Sequence, residues 1–79
     1  MAIKMYSSTW CSDCQRARRF LKANNIDFEE IKIDSDKDAA RAVMRHNQGR
    51  RQVPTFEIQG SFYGNPPLDK LARLLGVEP

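Results

Sequence analysis

The chain has 79 residues, of which 41% are apolar and 29% charged, with a net charge of +3. Length and composition suit one small globular domain, residues 1–79, and exclude wholesale disorder. Four glycines and four prolines exclude collagen-like and linker-like chains, no apolar run approaches the ~18 residues of a membrane span, and so mild a charge does not by itself indicate nucleic acid.

Ile3 to Tyr6 reads as a strand, with Ile3 and Met5 on one face. Ser7 to Trp10 is a polar loop. Ser12 to Ala23 reads as a helix, because Cys14, Ala17 and Leu21 recur at i, i+3 and i+7 and Phe20 widens that stripe. Asn24-Asn25 is its stop. Phe28 to Ile33 is a second strand. Asp34-Ser35-Asp36 supplies a turn and a helix cap. Lys37 to Asn47 is the next helix, with Ala39, Ala40, Val43 and Met44 on one side. His46, the single histidine, sits near its end as a solvated or capping residue. Gln48 to Gln52 is a basic loop. Thr55 to Ile58 is a third strand, Gly60-Ser61 a hairpin signal, and Phe62-Tyr63 begins a fourth strand. Asn65 is placed to cap the last helix, with Pro66 at its first position. Leu68, Leu71, Ala72 and Leu75 give that helix an apolar face, and Gly76 ends it. The order βαβαββα implies an α/β fold: a four-stranded mixed sheet covered by three helices, its first crossover right-handed.

The N-terminal MAIKMYSSTW lacks the basic and apolar regions of a secretory signal, so a cytoplasmic location is expected. Both cysteines, Cys11 and Cys14, stand three apart. As a staple, so small a ring is worth roughly 2 kcal/mol at best, against ~4.7 for a 100-residue loop. In the cytosol a close pair is more often catalytic or metal-binding than structural. A zinc site would need two further ligands, and no second cysteine pair exists. A Cys-x-x-Cys between a strand and a helix reads as a thioredoxin-like redox motif. At the helix start, unpaired N–H groups and the helix dipole favour a Cys11 thiolate. Cys14 lies one turn on, on the apolar stripe, as the resolving thiol.

The run Met5-Tyr6-Ser7-Ser8-Thr9-Trp10-Cys11-Ser12-Asp13-Cys14 resembles the active-site segment of glutaredoxins. Val53-Pro54-Thr55 and Gly64-Asn65-Pro66 are similar to that family as well, and the resemblance spans essentially the whole chain, leaning toward mycoredoxins and related bacterial redoxins. It implies a thioredoxin-like fold, Cys11 as nucleophile, Cys14 as resolving cysteine, and a cis Val53–Pro54 bond. It also implies that the Val53 backbone pairs with substrate like an added strand. Trp10, Asp13, Gln52, Gly64 and Asn65 are the further substrate-site candidates. Trp10 is either a substrate platform or a partly buried anchor.

Glutathione-using members usually carry a lysine where Ser8 or Thr9 stands and a tyrosine where Asp13 stands. They also carry a Gly-Gly and polar or acidic residues where Gly64-Asn65-Pro66-Pro67 stands. Mycothiol or bacillithiol therefore stands beside glutathione as the expected co-substrate, with no tightly bound cofactor. A carboxylate at Asp13 opposes a nearby thiolate, while Arg16, Arg18, Arg19 and Lys22 bring opposing charge as a solvated helix face. The expected activity is reduction of protein disulfides, or of protein/small-thiol mixed disulfides, by a cytoplasmic monomer acting on oxidised proteins without nucleic acid or membrane. Two alternatives are an iron–sulfur cluster carrier holding its cluster through Cys11, and a redoxin serving ribonucleotide reductase and recharged by thioredoxin reductase. The basic Arg50-Arg51-Gln52 loop resembles the latter.

Overall fold

A computed structural model describes residues 2–78. The elements in order are β1 (Ile3–Ser7), α1 (Ser12–Ala23), β2 (Glu29–Lys32), α2 (Lys37–His46), β3 (Thr55–Ile58), β4 (Ser61–Gly64) and α3 (Leu68–Leu75), with a 3₁₀ turn at Ile33–Ser35 between β2 and α2. The sheet order is β2-β1-β3-β4, with β1 parallel to β2 and the other neighbours antiparallel. This is the thioredoxin-like architecture expected.

Period-two alternation divides the core between the two sheet faces. Ile3, Met5, Phe56 and Ile58 pack with Ala17 and Leu21 of α1 and Leu71 of α3. Tyr6 turns the other way and packs with Ile33 and with Ala39, Ala40 and Val43 of α2, alongside Phe62. Asp36 caps α2 as expected, its Oδ1 accepting from the Ala39 N–H at 3.0 Å. Gln59 and Gly60, with φ of 52° and 85°, form the β3–β4 turn, the two-residue geometry that matches strand twist. Among the described residues no helix is long and apolar enough to cross a membrane.

Three sequence expectations need correction. The second strand is shorter than Phe28–Ile33, because Ile33 already enters the 3₁₀ turn. The second helix ends at His46, with Asn47 as its C-cap. Asn65 does not cap α3 and Pro66 is not its first residue: Pro67 holds the cap position, without a side-chain hydrogen bond. The physical reason is the double proline. Asn65 and Pro66 each precede a proline, which disfavours helical backbone. Asn65 instead adopts φ 40° and donates its N–H to the Pro54 carbonyl at 2.7 Å.

Candidate active site

The chain leaves β1 at Ser7 and reaches α1 at Ser12, so Cys11 lies just beyond the carboxyl end of β1. Cys11 is the N-cap of α1, with extended backbone, and its Sγ accepts from the Cys14 N–H at 3.0 Å. A sulfur there meets one of the orphan donors of the helix start and the positive end of its dipole. Cys11 is half-buried and Cys14 is fully buried. The two form a disulfide with Cα atoms 5.2 Å apart.

Because β3 runs antiparallel to β1, with Tyr6 opposite Thr55, the start of β3 returns to the same end of the sheet. Pro54 is buried and its bond to Val53 is cis, as the resemblance implied. The Gln52 carbonyl accepts from Thr55 Oγ1 at 2.7 Å and the Pro54 carbonyl from Asn65. The Val53 N–H and carbonyl between them have no hydrogen-bond partner among the described residues. Asp13, Pro54 and Asn65 line one cleft of about 260 Å³, with Arg16, Pro66 and Leu68. Three sequence candidates thus converge.

The Asp13 carboxylate does not stand unopposed against Cys11. Its Oδ1 accepts from Arg16 Nη1 at 2.8 Å and its Oδ2 from Asn65 Nδ2 at 3.2 Å. Arg18, expected on the solvated face, turns inward to a bidentate pair with Glu30, at 2.9 and 2.5 Å. Ser7 Oγ donates to the same carboxylate at 2.7 Å. Arg18 is the main cause that holds the Glu30 carboxyl down at about 2, against the opposing effect of burial. Trp10 is not an anchor: it is 95% exposed. His46 is exposed and stacks flat on Phe62, ring centroids 3.7 Å apart.

Gly64 packs closely against Asn47, with Gln52 beside it. A Cβ on Gly64 would lie 2.2 Å from Asn47 Oδ1 and 3.4 Å from Gln52 Cγ. Asn47 is itself tied down, donating from Nδ2 to the Val43 carbonyl and to Thr55 Oγ1. Sequence reasoning missed Asn47, Glu30 and Ser7, which carry no local signature. It also missed Asp34, whose Oδ2 accepts from the Thr9 N–H at 3.0 Å and holds the loop before Cys11. The Asp13–Arg16 pair was legible as an i, i+3 helix pair.

The glutaredoxin family profile matches residues 3–63. The chain belongs to the glutaredoxin family. This glutaredoxin is a thiol-disulfide oxidoreductase. It is 36% identical over 78 residues to a Mycobacterium tuberculosis protein named as a glutaredoxin, covering 96% of this chain and 93% of that one. It is 29% identical to Mycoredoxin 1 of Corynebacterium glutamicum, over 84% of this chain and 81% of the relative. Among solved structures, the glutaredoxin-like NrdH-redoxin of Escherichia coli superposes with a TM-score of 0.80 at 29% identity, over 100% and 97% of the two chains.

Proposed function

We propose that this glutaredoxin reduces disulfides in oxidised proteins, or mixed disulfides between a protein and a small thiol, with Cys11 as the attacking thiol. The observation that carries the reading is the contrast within the pair: Cys11 sits at the helix start and reaches solvent, while Cys14 is fully buried. In the reduced protein the Cys11 thiolate attacks one sulfur of the substrate disulfide. A Cys11–substrate disulfide forms and the other substrate sulfur leaves as a thiolate. The Cys14 thiol then loses its proton and attacks Cys11 Sγ, expelling the second substrate thiolate, which takes up a proton. Two electrons pass to the substrate and the Cys11–Cys14 disulfide remains. Val53 offers its free N–H and carbonyl to the substrate backbone beside the cleft.

For recycling, the cleft favours a donor other than glutathione. Its wall carries the Asp13 carboxylate where glutathione-using members usually carry a tyrosine, and the Arg16 that lines the same cleft is taken up by that carboxylate rather than free for an anionic tripeptide. Mycothiol, which carries no carboxylate, fits this reading, and the likeness to mycoredoxin agrees with it; bacillithiol, whose malate is anionic, is disfavoured as glutathione is. A second reading is direct recharging by thioredoxin reductase, supported by the likeness to NrdH-redoxin, a glutaredoxin-like protein with a thioredoxin-like activity profile. Coupled NADPH oxidation with each of the three thiol systems, and with thioredoxin reductase alone, separates these donors. Iodoacetamide labelling of the reduced protein at pH 6, with the adduct mapped by mass, tests the cysteine roles. Preferential labelling of Cys14 would reverse the assignment.

A further inference from the structure

The cations of this chain are distributed unevenly in their pairing. Arg16, Arg18, Arg41 and Arg73 each hold a carboxylate. Arg45 at the end of α2, and Arg50 and Arg51 in the loop to β3, are exposed and, like Arg19 and Lys22 on the far half of α1, have no ion-pair partner among the described residues. That loop runs directly into Val53, whose backbone groups are free. The loop before Cys11 is itself held in place, the Thr9 N–H donating to Asp34 Oδ2 at 3.0 Å. On the other side of the cysteines stands Trp10, the one large hydrophobic side chain that is fully open to solvent among the described residues.

We propose that Trp10 and the arginines of the α2–β3 loop form a docking surface for an extended, acidic segment of the oxidised protein substrate. This rests on the reading of Cys11 as the attacking thiol. The occupant is a polypeptide because the surface is continuous with an unpaired backbone donor and acceptor at Val53, which a β-strand satisfies. It is acidic because the flanking side chains are cations without partners. Extended chain advances about 3.3 Å per residue, and Arg51 lies two residues, ~7 Å, from Val53. The acidic residues therefore fall about two positions along the substrate strand from the residue that pairs with Val53. Trp10 covers an apolar residue beside that cysteine, as exposed tryptophans do at interfaces.

The test uses three synthetic decapeptides with one cysteine carried as the thionitrobenzoate disulfide. They differ only in two flanking positions, which are Asp, Ser or Lys. Reduced protein is mixed with each in a stopped-flow instrument, and thionitrobenzoate release is followed at 412 nm. Cys11 attacks the peptide sulfur, the S–S bond breaks and thionitrobenzoate leaves as a thiolate. Cys14 then displaces the peptide thiolate. The Asp peptide is expected to react about tenfold faster than the Lys peptide at 20 mM salt, the scale of electrostatic steering. The ratio should fall within about threefold at 0.5 M salt, where the Debye length is only a few ångströms. Arg50→Ser/Arg51→Ser abolishes the preference. Arg19→Ser/Lys22→Ser removes the same charge from the far half of α1 and leaves it in place. Trp10→Ala slows all three peptides while iodoacetamide labelling of Cys11 is unchanged. Equal rates for the Asp and Lys peptides, or a preference that survives Arg50→Ser/Arg51→Ser, overturns the docking surface and leaves the cysteine chemistry standing. Failure to release thionitrobenzoate from any peptide overturns both.

Discussion

The Ser7–Glu30–Arg18 network ties the active-site helix to β2 and should dominate the acid stability of the molecule. The two side chains of the ion pair are only 22–24% exposed, so solvent screening removes little of the interaction. The Glu30 carboxyl lies at about 2, against an ordinary 4.5. A difference of about 2.5 pH units corresponds to roughly 3 kcal/mol. The native value is the depressed one, so this stability is fully present above about pH 5 and is lost as pH falls toward 2. It is a large share of the roughly 4–12 kcal/mol available to a domain of this size. Glu30→Gln should therefore cost about 2–3 kcal/mol at pH 7, since it leaves Arg18 with no carboxylate. The double variant Arg18→Met/Glu30→Met should cost less than the single one, because no unpaired charge remains under the helix. Urea unfolding of the oxidised protein, followed by circular dichroism at 222 nm from pH 7 to pH 2.5, measures this. Trp10 is too exposed to report folding by fluorescence. The wild-type and Glu30→Gln curves should converge as pH falls, because only the wild type has this contribution to lose. Parallel curves over that range would refute the assignment of the acid limb to Glu30.

Gly64→Ala should destabilise the protein by about 1–2 kcal/mol, because the new methyl displaces a hydrogen-bonded Asn47 side chain. Thermal unfolding checks this, and Asn47→Ala in the same chain should recover part of the loss. Val53→Pro should lower turnover of a protein disulfide by about tenfold, the loss of one substrate hydrogen bond. Its iodoacetamide labelling rate should stay that of the wild type, and unchanged turnover would remove the docking role. Asp13→Asn should raise turnover of a glutathionylated protein by about threefold to tenfold at low salt, with no change for the neutral mercaptoethanol mixed disulfide. An equal change for both substrates would show that the carboxylate does not select the thiol.

The helices were legible because their signals are local. Cys14, Ala17 and Leu21 mark one face of α1 within two turns, and Asp36 announces α2 through a cap bond that spans three residues. The Cys11–Cys14 spacing, placed between a strand and a helix, declared the redox chemistry for the same reason. Asn65 shows where such reasoning stops. Its type and position suit a cap, yet two following prolines deny it a helix, and its amide serves Asp13, 52 residues away. Arg18 and Glu30 look like surface residues in any window, and become a half-buried pair only because parallel pairing sets Glu30 beside Met5, under α1. Gly64 carries no turn signal; the need for it arises when β4 brings it against Asn47. Periodicity and capping bind residues within a few positions of one another, so a single chain displays them. Strand register brings together residues dozens of positions apart, and the polar contacts it creates exist only once the sheet has closed.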